Sequence, residues 1–140
     1  MKKVLLFSTL IALLLIVTGC SNSKRVICNQ KVSVVDVDML LDFDNDVLSG
    51  MGLKYTMDLS SGTDEQIKEF ESQNLCSTVQ ESMGTYKDAF TNCKQSLNGK
   101  KLEITADFIL EKLPGYSKDK KETMEESIKQ LEDQGYKCEK

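Results

Sequence analysis

Residues 35–43 read Val-Asp-Val-Asp-Met-Leu-Leu-Asp-Phe, and this stretch decides the fold class. Val35, Val37, Met39, Leu41 and Phe43 share one parity, whereas Asp36, Asp38, Leu40 and Asp42 share the other. Successive strand side chains point to opposite faces, so the spacing predicts a strand with a buried apolar side and a wet acidic one. Such a strand belongs to an antiparallel sheet with one solvated face, not to a fully covered parallel sheet.

Working outward, Asp44-Asn45-Asp46 supplies turn chemistry, and alternation resumes with Met51, Leu53, Tyr55, Met57 and Leu59. Gly50 and Gly52 near the start of that arm predict a bulge or bend. On the N-terminal side, Arg25 to Gln30 reads as a first strand. Thr63-Asp-Glu-Gln66 fits a capping box that opens a helix, with Ile67, Phe70, Leu75, Val79 and Met83 as its apolar stripe up to Gly84. Ala89 to Leu97 reads as a weaker strand, joined through Asn98-Gly99 to the alternating arm Leu102 to Leu110. After the break at Leu113-Pro114-Gly115, a charged helix is expected over 118–134, capped by Gly135 and followed by a short strand at Tyr136-Lys137-Cys138. The expected order is β-β-β-α-β-β-α-β: a small α+β domain over residues 25–140 with a mostly antiparallel sheet and two helices.

The first 19 residues have a different character. Lys2 and Lys3 precede an apolar run from Val4 to Val17, and Thr18-Gly19-Cys20 closes it with small residues. A spanning helix needs about 20 apolar residues to cross a hydrocarbon core of roughly 30 Å. The shorter run reads instead as an export signal. Val17-Thr18-Gly19-Cys20 resembles the lipobox of bacterial lipoprotein precursors. That resemblance implies cleavage before Cys20 and acylation of its sulfur, with residues 1–19 as signal peptide and 20–24 as a short polar tether. Two acyl chains anchor stably where one does not.

Removing residues 1–19 takes away Lys2 and Lys3 and no acid, which leaves 16 basic and 22 acidic side chains, a formal charge of −6. No basic block is present, so the sequence offers no electrostatic footprint for nucleic acid. Setting Cys20 aside also turns five cysteines into four: Cys28, Cys76, Cys93 and Cys138. An even number in an exported chain predicts two disulfides. Of the three possible pairings, Cys76–Cys93 as a local closure and Cys28–Cys138 tying the first strand to the last are favoured. Zinc is a poor alternative, because no pair has knuckle spacing and the chain has no histidine.

The mature part resembles the small YehR-like lipoproteins, a family of unknown function. The similarity lies in the lipobox, the amphipathic strand Met51 to Leu59 ahead of the first helix, and Lys129-Gln-Leu-Glu-Asp-Gln-Gly-Tyr136 near the end. It implies a fold and a location and brings no catalytic residue.

Chemistry has few places to reside. Without histidine, Ser-His and Cys-His nucleophile pairs are excluded. Asp42-Phe-Asp44-Asn-Asp46 places carboxylates at alternating positions that suit calcium, but a helix-loop-helix calcium site needs glycine next and glutamate at its twelfth position. Val47 and Leu53 stand there, and a plain hairpin is the favoured reading. Tyr55, Tyr86, Tyr116 and Tyr136 suit a sugar or peptide platform, with core-edge packing favoured over it. Lys118, Lys120 and Lys121 are expected to open the second helix as a solvated end.

The sequence thus points to a lipid-anchored protein facing outside the cytoplasm at the cell membrane, a non-catalytic module for an envelope protein or small ligand, with no cofactor. A carboxylate-dependent enzyme acting on envelope polymer and a structural or immunity-type lipoprotein are the other classes. The expected mature N-terminus is Cys20 with a diacylglyceryl group on its sulfur. Intact-mass analysis of the membrane fraction checks this, and Cys20→Ala is expected to yield unacylated protein with an uncleaved signal.

Overall fold

The computed structural model describes residues 22–139; residues 1–21, which hold the expected export signal and Cys20, and Lys140 lie outside them. Six strands form one sheet: β1 (Ser23–Val32), β2 (Val35–Asp44), β3 (Val47–Asp58), β4 (Phe90–Asn98), β5 (Lys101–Phe108) and β6 (Lys137–Glu139). Their spatial order is β4-β5-β3-β2-β1-β6, and every neighbouring pair is antiparallel. Three helices, α1 (Asp64–Ser72), α2 (Leu75–Ser82) and α3 (Met124–Asp133), complete a two-layer α+β domain. Among the described residues no helix is long and apolar enough to cross a membrane.

β2 lies between β1 and β3 with the parity expected of it. Val37, Leu41 and Phe43 are buried, while Asp36, Asp38 and Asp42 lie on the opposite, wetter face. Phe43 is only 1% exposed and packs with Val26, Cys28, Leu41, Leu48 and, from α3, Ile128. A second cluster joins Val37, Leu53, Ala106 and Phe108 to Val79 and Met83 at the end of α2. A third sets Ile67 and Phe70 of α1 on Leu59 and Leu102. All three helices therefore cover the same face, and each fully buried large side chain adds roughly 1.5–3 kcal/mol.

Turns and bulges set the register. Asn45 and Asp46 both have positive φ in the two-residue β2–β3 loop, the geometry that suits strand twist. Asp42 pairs with Gly50 but Phe43 with Leu48, so Ser49 is the extra residue of a bulge, at the expected glycine-rich site. The bulge switches the inward parity of β3 from Leu48 to Met51. β4 has a second bulge: Thr91 opposes Asp107 and Lys94 opposes Thr105, so Asn92 and Cys93 share one partner position. Asn92 adopts φ 52° there, and the switch turns Cys93 toward α2. This break in alternation explains why the strand reads weakly in sequence.

Four local expectations are corrected. The single first helix is two, because Gln73 is extended and Asn74 caps α2 by accepting from Ser77 N. Gln95 of β4 stabilises the break, accepting from Leu75 N at 3.1 Å and donating to Phe70 O at 3.3 Å. The last helix begins at Met124, behind the capping box Thr123–Glu126, so Lys118, Lys120 and Lys121 precede it and do not open it. The β4–β5 turn is centred on Gly99-Lys100, one residue later than Asn98-Gly99, with positive φ at Gly99 alone of the two loop residues. Strand β1 also begins at Ser23, within the stretch read as tether. Gly135 (φ 95°) terminates α3 as expected, with Tyr136 N donating to Leu131 O.

The disulfides are Cys28–Cys138, joining β1 to β6, and Cys76–Cys93, joining α2 to β4. They span 110 and 17 residues. By chain entropy the long closure stabilises by about 5 kcal/mol and the short one by about 3 kcal/mol. The Cys28→Ala/Cys138→Ala variant is expected to lose more stability than Cys76→Ala/Cys93→Ala, and urea titration of the two proteins reads the difference.

Candidate functional site

The helices are too few and too short to roof the whole sheet. α3 covers the β6, β1 and β2 side; α2 sits toward β4 and β5. Between them, above the half-buried Met39, Met51 and Tyr55 of the central strands, a cleft of about 550 Å³ remains. That volume lies within the roughly 300–1,000 Å³ typical of small-molecule sites. Met39, Leu41, Met51, Leu53 and Phe108 form its apolar floor. One wall is α3 with its C-cap, where Glu126, Gln130 and the capping Gln134 recur every four residues. Met83 and Tyr86 at the end of α2 form the other, and Leu113 to Ser117 contribute a loop.

All four tyrosines of the chain line this one cleft. Tyr55 comes from β3, Tyr86 from the short turn after α2, Tyr116 from the loop after Pro114, and Tyr136 from the residue preceding β6. Tyr55, Tyr116 and Tyr136 also pack against the core clusters, so core-edge packing and cleft lining are two sides of the same rings. Burial raises the phenol pKa of Tyr55 and of Tyr136, and the proximity of Tyr136 raises that of Tyr55 further. None of the four hydroxyls has a side-chain hydrogen-bond partner among the described residues.

The mouth carries three charges: Lys120, Glu122 and Glu126. Its position is set by hydrogen bonds from Leu48 N to Glu122 O (3.0 Å) and from Met124 N to Asp46 O (3.2 Å), which pin the approach to α3 against the start of β3. Glu126 Oε2 accepts from Thr123 N, which lowers the carboxyl pKa, with Lys120 nearby adding to the effect. Glu122 Oε1 accepts from the buried Ser127 hydroxyl at 3.1 Å.

The acidic residues singled out in sequence lie elsewhere. Asp36, Asp38 and Asp42 occupy the open face of the sheet, while Asp44 ends β2 and Asp46 sits in the turn. Asn29 donates to Asp38 at 2.6 Å, and Arg25 makes a two-point contact with Asp42 at 2.6 and 2.9 Å. Among the described residues no three His, Cys, Asp or Glu side chains converge as a metal-ion group. Parity placed Met39, Met51 and Tyr55 inward; Gln130, Gln134 and Glu122 had no signal, because polar residues on a helix read as solvated. Compared with family models, curated proteins and solved structures, the chain finds no match.

The Arg25 pair gives a pH test. The Arg25 hydrogen bonds hold the Asp42 carboxyl below its ordinary value, so its stabilisation is present above about pH 4 and is lost as pH falls through the lowered value. Both side chains are well exposed, so screening limits the pair to about 0.2–1 kcal/mol. Arg25→Gln is expected to cost that amount at neutral pH and to leave stability at low pH unchanged, as followed by urea unfolding at the two pH values.

Proposed function

We propose that this chain is a membrane-anchored extracytoplasmic lipoprotein whose folded domain is a non-catalytic binding module, with the tyrosine-lined cleft as its binding site. The observation that carries this reading is the convergence of all four tyrosines, from four separate segments, on one cleft with an apolar floor. Tyrosine supplies large, rigid contact area with a polar tip at low entropic cost, and methionine adapts to irregular partners. The two disulfides support an oxidising compartment, in keeping with the signal and lipobox of residues 1–20.

A carboxylate-dependent enzyme is the second reading, favoured by Glu122 and Glu126 at the cleft mouth in place of the Asp36–Asp46 stretch. Against it, both carboxylates already hold the α3 entry together through Ser127 and Thr123.

The test is photo-crosslinking in intact cells. With p-benzoylphenylalanine in place of Tyr86, a discrete adduct is expected, and with the same residue in place of Asp36 on the open face none is expected. Adducts from Asp36 alone, or from neither position, would overturn the reading. Turnover of envelope polymer that disappears in Glu122→Gln would favour the enzyme instead.

A further inference from the structure

We infer that the cleft takes a small organic cation, an alkylammonium group carried on an apolar body; this rests on the cleft being the binding site.

Three features select that chemistry. No tyrosine ring is already paired with another ring or a cation: Phe90–Phe108 is the only close ring pair among the described residues, and no lysine or arginine there is stacked on a tyrosine. An aromatic face carries negative potential and attracts ammonium groups, most strongly where water is excluded. The floor, second, is hydrocarbon and thioether, and the described residues have no buried side-chain polar atom without a partner. An alkyl body placed on that floor gives up no hydrogen bond to water. Third, the mouth carries two carboxylates against one ammonium. An ionised carboxylate has about four acceptor positions, and hydrogen bonding uses one on Glu122 and one on Glu126. Residues 22–139 carry 15 basic and 22 acidic side chains, so the wider field draws cations in as well. Lys120 is exposed at the rim and is balanced by neighbouring Glu126. An anion would meet net repulsion.

The protein carries its own reporter. It has no tryptophan, and every tyrosine lines the cleft, so intrinsic emission reads that cleft alone. The folded, disulfide-bonded protein is titrated with hexyltrimethylammonium, with hexanol as the uncharged control and with hexanoate as the anionic one. The ammonium is expected to bind saturably and about tenfold tighter than hexanol, from the size of a partly desolvated cation–π contact. Hexanoate is expected to bind no tighter than hexanol. Tyr136→Phe keeps the ring and should keep the preference, whereas Tyr136→Leu should lose most of it. Should Tyr136→Leu misfold by circular dichroism, Tyr86→Leu replaces it, since Tyr86 is 48% exposed and outside the core. Equal affinity for the three ligands, or preference for hexanoate, overturns the cation assignment while leaving the cleft as a binding site. No saturable response to any of them overturns it too, and the crosslinking experiment then decides independently whether the cleft engages a partner.

Discussion

The inner face of β2 has to be kept from water, and much of the structure follows from how that is done. Val37, Leu41 and Phe43 are buried on a strand between β1 and β3, so cover must come from the helical layer. The described residues supply three α-helices of eight to ten residues for six strands. Cys76–Cys93 ties α2 to β4, and the Leu48 N–Glu122 O and Met124 N–Asp46 O bonds pin the start of α3, which lies against β1 and β6. What remains uncovered in the middle becomes the cleft. It is the outcome of a sheet wider than its roof, lined by residues large enough to fill the margins without closing them.

The parts that hold the roof apart are local and specific. Gln95 satisfies backbone groups on both sides of the α1–α2 break, so α2 is re-aimed and does not continue α1. The β4 bulge turns Cys93 inward, and its disulfide fixes α2 to the edge strand. On the other side, Tyr136 stands between the end of α3 and a three-residue strand that pairs with β1 over Ile27–Asn29 and is linked to it by Cys28–Cys138. The position of this cleft-lining ring therefore depends on a disulfide two residues away.

The two faces of the sheet divide the chemistry. The open face satisfies its charges with its own partners, as Arg25 with Asp42 and Lys54 with Glu103 show. Of the carboxylates that looked sharpest in the primary structure, Asp42 is spent on a cross-strand ion pair, and Asp44 and Asp46 stand exposed at the turn. The covered face has apolar walls, phenol tips and a mouth with surplus negative charge, where partners remain to be supplied from outside.

Much of this was legible in residue order alone. Period-two alternation in 35–43, 51–59 and 102–110, the Thr63 capping box and the Gly135 cap are short-range signals, and each acts through neighbours a few residues away. The two disulfide pairings were also favoured from cysteine spacing and the expected compartment. The split of the first helix did not, because the group that stabilises it, Gln95, comes from a strand some twenty residues on. Nor did the late start of α3, where Thr123 and Glu126 cap the helix against a run of lysines that reads as helical. The cleft was the least visible feature. Tyr55, Tyr86, Tyr116 and Tyr136 are scattered over 82 positions, and only the strand order and the gap between helices bring them to one place. Residue order determines which side of each strand is greasy; which greasy side stays uncovered depends on how many helices reach it, and that is settled only by packing.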